Sequence, residues 1–201
     1  MTNYFARAKT QPHQTTGWLA PLAACLTAGA GLGAFYVAKW GGGPDLAAYL
    51  ENMAYGGRLR LFFSLLFRQL MYLVPLFLCG YFRWGMGAAA LIFGVKGFFA
   101  ARLAAAFLQT YGGRGYAALM AACFVQSFCS VFCMLLLGCR AMKLCAARRT
   151  IPRGRRRFLR LPADPAYHAA GVACFLLCLA CSLAGSLLTP PLSRAALALI
   201  G

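Results

Sequence analysis

Three basic side chains, Arg68, Lys96 and Arg102, fall inside long apolar runs of a chain whose only acids are Asp45, Glu51 and Asp164. A cation held in hydrocarbon costs at least about 2.5–3.5 kcal/mol on insertion scales, so each needs a reason to be there. One reason is chemical: cations that share a polar path bind or conduct an anion. The other is positional. Arg68 and Arg102 lie toward the outer ends of their runs, where a long side chain snorkels to the interface. Lys96 is nearer the centre of its run and has no acid in any run to pair with. Backbone carbonyls or the amide oxygen of Gln126 are the partners available to it. Lys96 and Gln126 therefore read first as polar glue between helices, and next as part of an anionic path with Arg102 and Arg68.

Ten cysteines offer other chemistry: Cys25, Cys79, Cys123, Cys129, Cys133, Cys139, Cys145, Cys174, Cys178 and Cys181. Nearly all sit in apolar runs, whereas a secreted disulfide framework places them in loops. The plain reading is small apolar packing residues, reduced in the membrane. Cys178 and Cys181 form an embedded CxxC, but a membrane thiol relay also needs a shuttle pair in an outer loop, and neither outer segment carries a cysteine. Cys129 and Cys133 are one helical turn apart and could hold a soft metal, yet neither His13 nor His168 is near them in sequence. Three acids are too few for acid–base work, and no Gly-rich phosphate loop precedes a helix. The expectation is a chain that is not an enzyme and carries no cofactor and no metal.

The elements that must position these residues are membrane spans. Of 201 residues, 62% are apolar and 11% charged, with a mean hydropathy of +0.68. Soluble domains carry roughly 25% charged residues. The pattern predicts an all-α transmembrane bundle of five spans, at 17–39, 61–82, 88–108, 115–139 and 166–188. The first run is too long for a signal peptide, whose apolar centre is about 7–15 residues. Its Gly29 and Gly33 form a GxxxG pair suited to close helix contact in lipid, with which a homo-oligomer is compatible. Gly41 to Pro44 end the span, and Asp45 is placed to cap a short helix through Tyr55. That helix, over 45–55, includes Tyr49 and Glu51 and reads as amphipathic, lying on the outer interface. Arg83 to Gly87 turn the chain tightly between spans 2 and 3, as a full or a partly re-entrant hairpin. Gln109 to Arg114 form a small outer loop, and Pro190 and Pro191 stop the last span before a tail over 189–201.

The net charge of +17 comes from 20 Lys and Arg against three acids. Nucleic acid is not the partner, because the basic stretch lacks interleaved aromatics and adjoins spans. With the arm over 1–16 inside, the inner segments hold twelve cations and the outer segments five. That is the positive-inside pattern, which predicts an N-terminus in the cytoplasm and a C-terminus outside. Most of the excess lies in the connector over 140–165. Its Arg148, Arg149, Arg153, Arg155, Arg156 and Arg157 suit anionic lipid, at roughly 1 kcal/mol each near the surface.

The stretch Phe93 to Phe128, "FGVKGFFAARLAAAFLQTYGGRGYAALMAACFVQSF", resembles the core of the stage II sporulation protein M family. Lys96-Gly97 is similar to the family's Lys-Gly pair, "LQTYGGRG" resembles its turn, and Gln126 falls at its central Gln. Val125 and Ser127 stand where the family has Pro and Asn. "DLAAYLENM" and "SLLTPPL" resemble its outer segment and its C-terminal ending. The resemblance implies a five-span scaffold of the cell membrane, in its septal and engulfing parts during endospore formation. It implies as partners the cell-wall lytic stage II sporulation proteins D and P, which would do the peptidoglycan chemistry. The candidates for partner contact or packing are Gly29, Gly33, Asp45, Tyr49, Glu51, Lys96, Gly97 and Gln126. A permease or exporter subunit with an anionic path, and more distantly a thiol relay, are the competing expectations.

Overall fold

A computed structural model describes residues 16–41, 46–82, 84–149 and 165–200. Among them there is no strand. A 3-10 turn over Thr16–Trp18 leads into α1, Leu19–Trp40, followed by α2, Leu46–Tyr55, α3, Arg58–Cys79, α4, Gly85–Arg149, and α5, Pro165–Ile200. Among the described residues, five stretches are long and apolar enough to cross a membrane: Leu19–Trp40, Arg58–Cys79, Gly85–Gly113, Gln126–Ala147 and Pro165–Ala195. Their outward faces carry Leu32, Phe67, Leu91, Phe128 and Val172, each more than half exposed. Large apolar side chains over the flanks of a bundle suit a lipid surround.

The 65 residues of α4 are one helix by hydrogen bonding and two by shape. At Gly112 the backbone reaches φ 62°, ψ −155°, a region open to glycine and strained for other residues. The two arms then fold back on one another. A side chain at Gly85 would meet Cys145, and one at Gly138 would meet Phe93. The outer loop expected at 109–114 is thus reduced to a break at one residue, because Gly112 alone supplies the left-handed turn. Helix also continues ten residues beyond the expected end of span 4, through Arg149. The first part of the basic connector is therefore helical. Arg140 Nη1 donates to the Ala166 carbonyl at 2.8 Å, which ties this end of α4 to the start of α5.

The core lies where α1, α3, both arms of α4 and α5 meet. Leu22, Leu76, Phe93, Met134, Leu137, Tyr167 and Cys178 are almost fully enclosed there. The approach of α1 to α4 is set by glycine. A methyl group at Gly29 would overlap the Gly94 carbonyl, one at Gly33 the Phe98 carbonyl, and one at Gly97 the Leu26 carbonyl. The GxxxG face is used inside the chain, where two backbones meet without side chains between them.

Three further details position the site. First, α2 turns Leu46, Met53 and Ala54 into the protein, with Leu46 in a cluster around Val37, Ala106 and Phe107. Second, carbonyls in the last turn of α3 accept side-chain donors from other helices. Tyr167 Oη donates to Phe77 O at 2.6 Å, and Cys145 Sγ donates to Cys79 O at 3.2 Å. Third, α5 runs through Pro190 and Pro191, where the sequence pattern predicts a stop. The rings remove two helix N–H donors, but Arg194 beyond them still reaches the Ala54 carbonyl of α2 at 3.2 Å. Packing on α2 keeps this segment helical.

Candidate functional site

Helical spacing brings the polar residues of α3 and α4 to one cavity. On α3, Arg68, Gln69 and Tyr72 share a face. On the first arm of α4, Lys96, Gly97, Ala100 and Leu103 recur at helical intervals, and on the second arm Gln126, Ser127, Ser130 and Val131 complete the wall. Leu26 and Ala30 of α1 and Tyr49 of α2 close it, around a volume of about 510 Å³. That is within the range of small-molecule sites, roughly 300–1,000 Å³.

Two of the three span cations enter this cavity. The Lys96 ammonium stands over the Tyr72 ring, 4.7 Å from its centroid. Arg68 Nη1 donates to Tyr49 Oη at 2.8 Å, so the guanidinium is drawn toward the α2 end of the bundle. The start of α3 at Arg58 places Arg68 near mid-helix, deeper than the outer end at which the sequence pattern puts it. Arg102 is elsewhere: it is absent from the lining and lies over the Tyr36 ring of α1 at 5.2 Å. The reason is rotational. Six residues beyond Lys96 is about 240° further around the helix, at roughly 100° per residue.

Gln126 does line the cavity, but its Nε2 reaches the Leu65 carbonyl at 3.5 Å instead of serving Lys96. Gln69 is the residue that sequence reasoning passed over. It is 3% exposed, and neither its amide nitrogen nor its amide oxygen makes a hydrogen bond within the protein. The available signal was the polar pair Arg68-Gln69 in the middle of an apolar run. An unpaired buried amide costs about 1–3 kcal/mol. The cavity therefore holds two cations, a buried amide with open valences and the hydroxyl of Ser130, while none of its described lining residues is acidic. Such a set offers charge-assisted hydrogen bonds of the kind that an anion accepts.

The other expected contact residues are placed as follows. Gly29, Gly33 and Gly97 form the α1–α4 contact. Tyr49 lines the cavity, and Glu51 is exposed on α2. Asp45, Arg153, Arg155, Arg156 and Arg157 lie outside the described residues, and Arg148 and Arg149 end α4 in helical backbone. Cys129, Cys133, Cys174, Cys178 and Cys181 cluster between the second arm of α4 and α5. Cys181 Sγ is 2.7 Å from Cys129 Sγ, and Cys133 and Cys174 each reach the other's carbonyl, at 3.9 and 3.7 Å. Cys181 is thus paired across helices with Cys129. Among the described residues no three His, Cys, Asp or Glu side chains are grouped to hold a metal.

The fold and the site define an all-α bundle with five helices suited to span a membrane and a cationic cavity in its flank. The chain matches no protein-family model, no curated protein and no solved structure.

Proposed function

We propose that the protein is a non-enzymatic membrane protein that recognises an anionic group within the bilayer, as a subunit of a permease or exporter. The observation that carries this reading is the meeting of Lys96, Arg68 and the unpartnered Gln69 in one cavity. Two cations held near one another repel, and each is costly on a helix surrounded by hydrocarbon, so a polyvalent anion between them relieves both penalties. The positive-inside pattern supports an N-terminus in the cytoplasm, a C-terminus outside and the basic stretch around 140–165 against anionic lipid of the cell membrane.

The test is thermal unfolding of the purified protein in detergent with phosphate, sulfate, chloride or phosphatidate added. A polyvalent anion, free or lipid-borne, raises the midpoint of the native sequence and leaves that of Lys96→Met unchanged. A midpoint that follows ionic strength alone sinks the reading.

A second reading is favoured by one observation. Lys96-Gly97, one of the elements in the resemblance to the stage II sporulation protein M family, sits where the cavity meets the close α1–α4 contact. In this reading the chain is a membrane scaffold that holds cell-wall lytic proteins, stage II sporulation proteins D and P, at septal and engulfing membranes. Crosslinking and pull-down from sporulating cells decides between the two: recovery of wall hydrolases supports the scaffold, and recovery of an ATPase or a solute-binding protein supports the permease.

A further inference from the structure

We infer, building on the reading of the cavity as an anion site, that its ligand is an amphiphile: a phosphate-bearing lipid headgroup between Lys96, Arg68 and Gln69, with its acyl chain leaving past Phe99 and Phe128. Two features of the cavity carry this. Its floor is polar and closed. Gln69 and Ser130, both among its lining residues, are 3% and 4% exposed, and the Gln69 amide makes no hydrogen bond within the protein. Its rim is apolar and open. Phe99 and Phe128 line the same space yet are 48% and 67% exposed, on the flank of helices long and apolar enough to span a membrane.

A free anion reaching that opening would have to travel through hydrocarbon, whereas a lipid headgroup is delivered to it with its tail already in the solvent it prefers. Phosphate suits the floor better than a carboxylate does. It has more acceptor oxygens, and cations on two different helices together with amide and hydroxyl donors offer more donors than one carboxylate can use. The aromatic rim then lies along the first methylenes of the chain, each worth about 0.8 kcal/mol when buried.

The experiment is native mass spectrometry of the delipidated full chain in mild detergent, with dioleoyl phosphatidate, dioleoylglycerol and inorganic phosphate as separate probes. The expected result is a retained phosphatidate adduct on the native sequence, little or no dioleoylglycerol adduct, and retention of phosphatidate weakened roughly tenfold by Lys96→Met and by Gln69→Leu, about 1.4 kcal/mol each. Binding of inorganic phosphate with no preference for phosphatidate would overturn the amphiphile while leaving an anion site. Equal adducts of phosphatidate and dioleoylglycerol, or no adduct with any probe, would overturn the anion site as well. The comparison of probes on the native sequence decides the matter even where a variant does not fold.

Discussion

The Tyr167 hydroxyl donates a 2.6 Å hydrogen bond to the Phe77 carbonyl, and the two rings stack with centroids 5.1 Å apart and planes 4° from parallel. This contact joins the first turn of α5 to the last turn of α3, where a helix leaves carbonyls without internal partners. Tyr167→Phe keeps the ring and removes the bond. It is expected to lower stability by about 1–2 kcal/mol, read by denaturant unfolding in detergent. Gly80→Ala is expected to do more, because a methyl group there would overlap the Tyr167 hydroxyl itself.

The glycines of α1 give a paired test on one helix. Gly29→Ala and Gly33→Ala drive a methyl group into backbone of α4, while Gly31→Ala meets open space. The first two are expected to reduce the folded fraction in size-exclusion chromatography, and Gly31→Ala to leave it unchanged or slightly raised, since alanine favours helix by roughly 1 kcal/mol over glycine. Equal behaviour of all three would mean that α1 does not meet α4 along this face.

Gln69→Leu is expected to separate stability from binding. The substitution removes a buried amide that makes no hydrogen bond in the protein, so the unfolding midpoint rises, by an amount corresponding to about 1–2 kcal/mol. Anion binding falls in the same variant. A rise in stability with binding intact would show that Gln69 is a packing defect and not a ligand group.

Cys129 and Cys181 offer a measurement of the α4–α5 contact. Their sulfurs are 2.7 Å apart, and a disulfide needs them at about 2.05 Å. Treatment of isolated membranes with copper phenanthroline is expected to oxidise the pair, with loss of two hydrogens from the intact mass. Cys129→Ser or Cys181→Ser abolishes the change. Crosslinking that instead requires Cys178 would place α5 in a different rotation.

Much of the fold is legible in the sequence because lipid imposes a simple rule: long apolar runs become helices, and Gly and Pro clusters separate them. Leu19–Trp40 and Arg58–Cys79 fall close to the runs that composition marks. Arg68 and Lys96 are visible as cations out of place. What was not legible depends on partners distant in the chain. Pro190 and Pro191 read as a stop until α2 is seen supporting the helix beyond them. Gln109 to Arg114 read as a loop because its residues are turn formers, but only Gly112 departs from helix. Arg102 and Lys96 differ in depth along the sequence, and in the fold they differ also by their direction around α4. Gln69 is a polar residue in an apolar run by sequence, but its burial and its missing partners are known only from the structure.

The reversal at Gly112 also fixes an order in time. The described residues that line the cavity all precede position 132, and none belongs to α5. A ribosome therefore delivers the complete set of these residues before it begins the arginine-rich stretch after Arg149. The late helix acts as a buttress, added behind a chamber whose walls have already been synthesised.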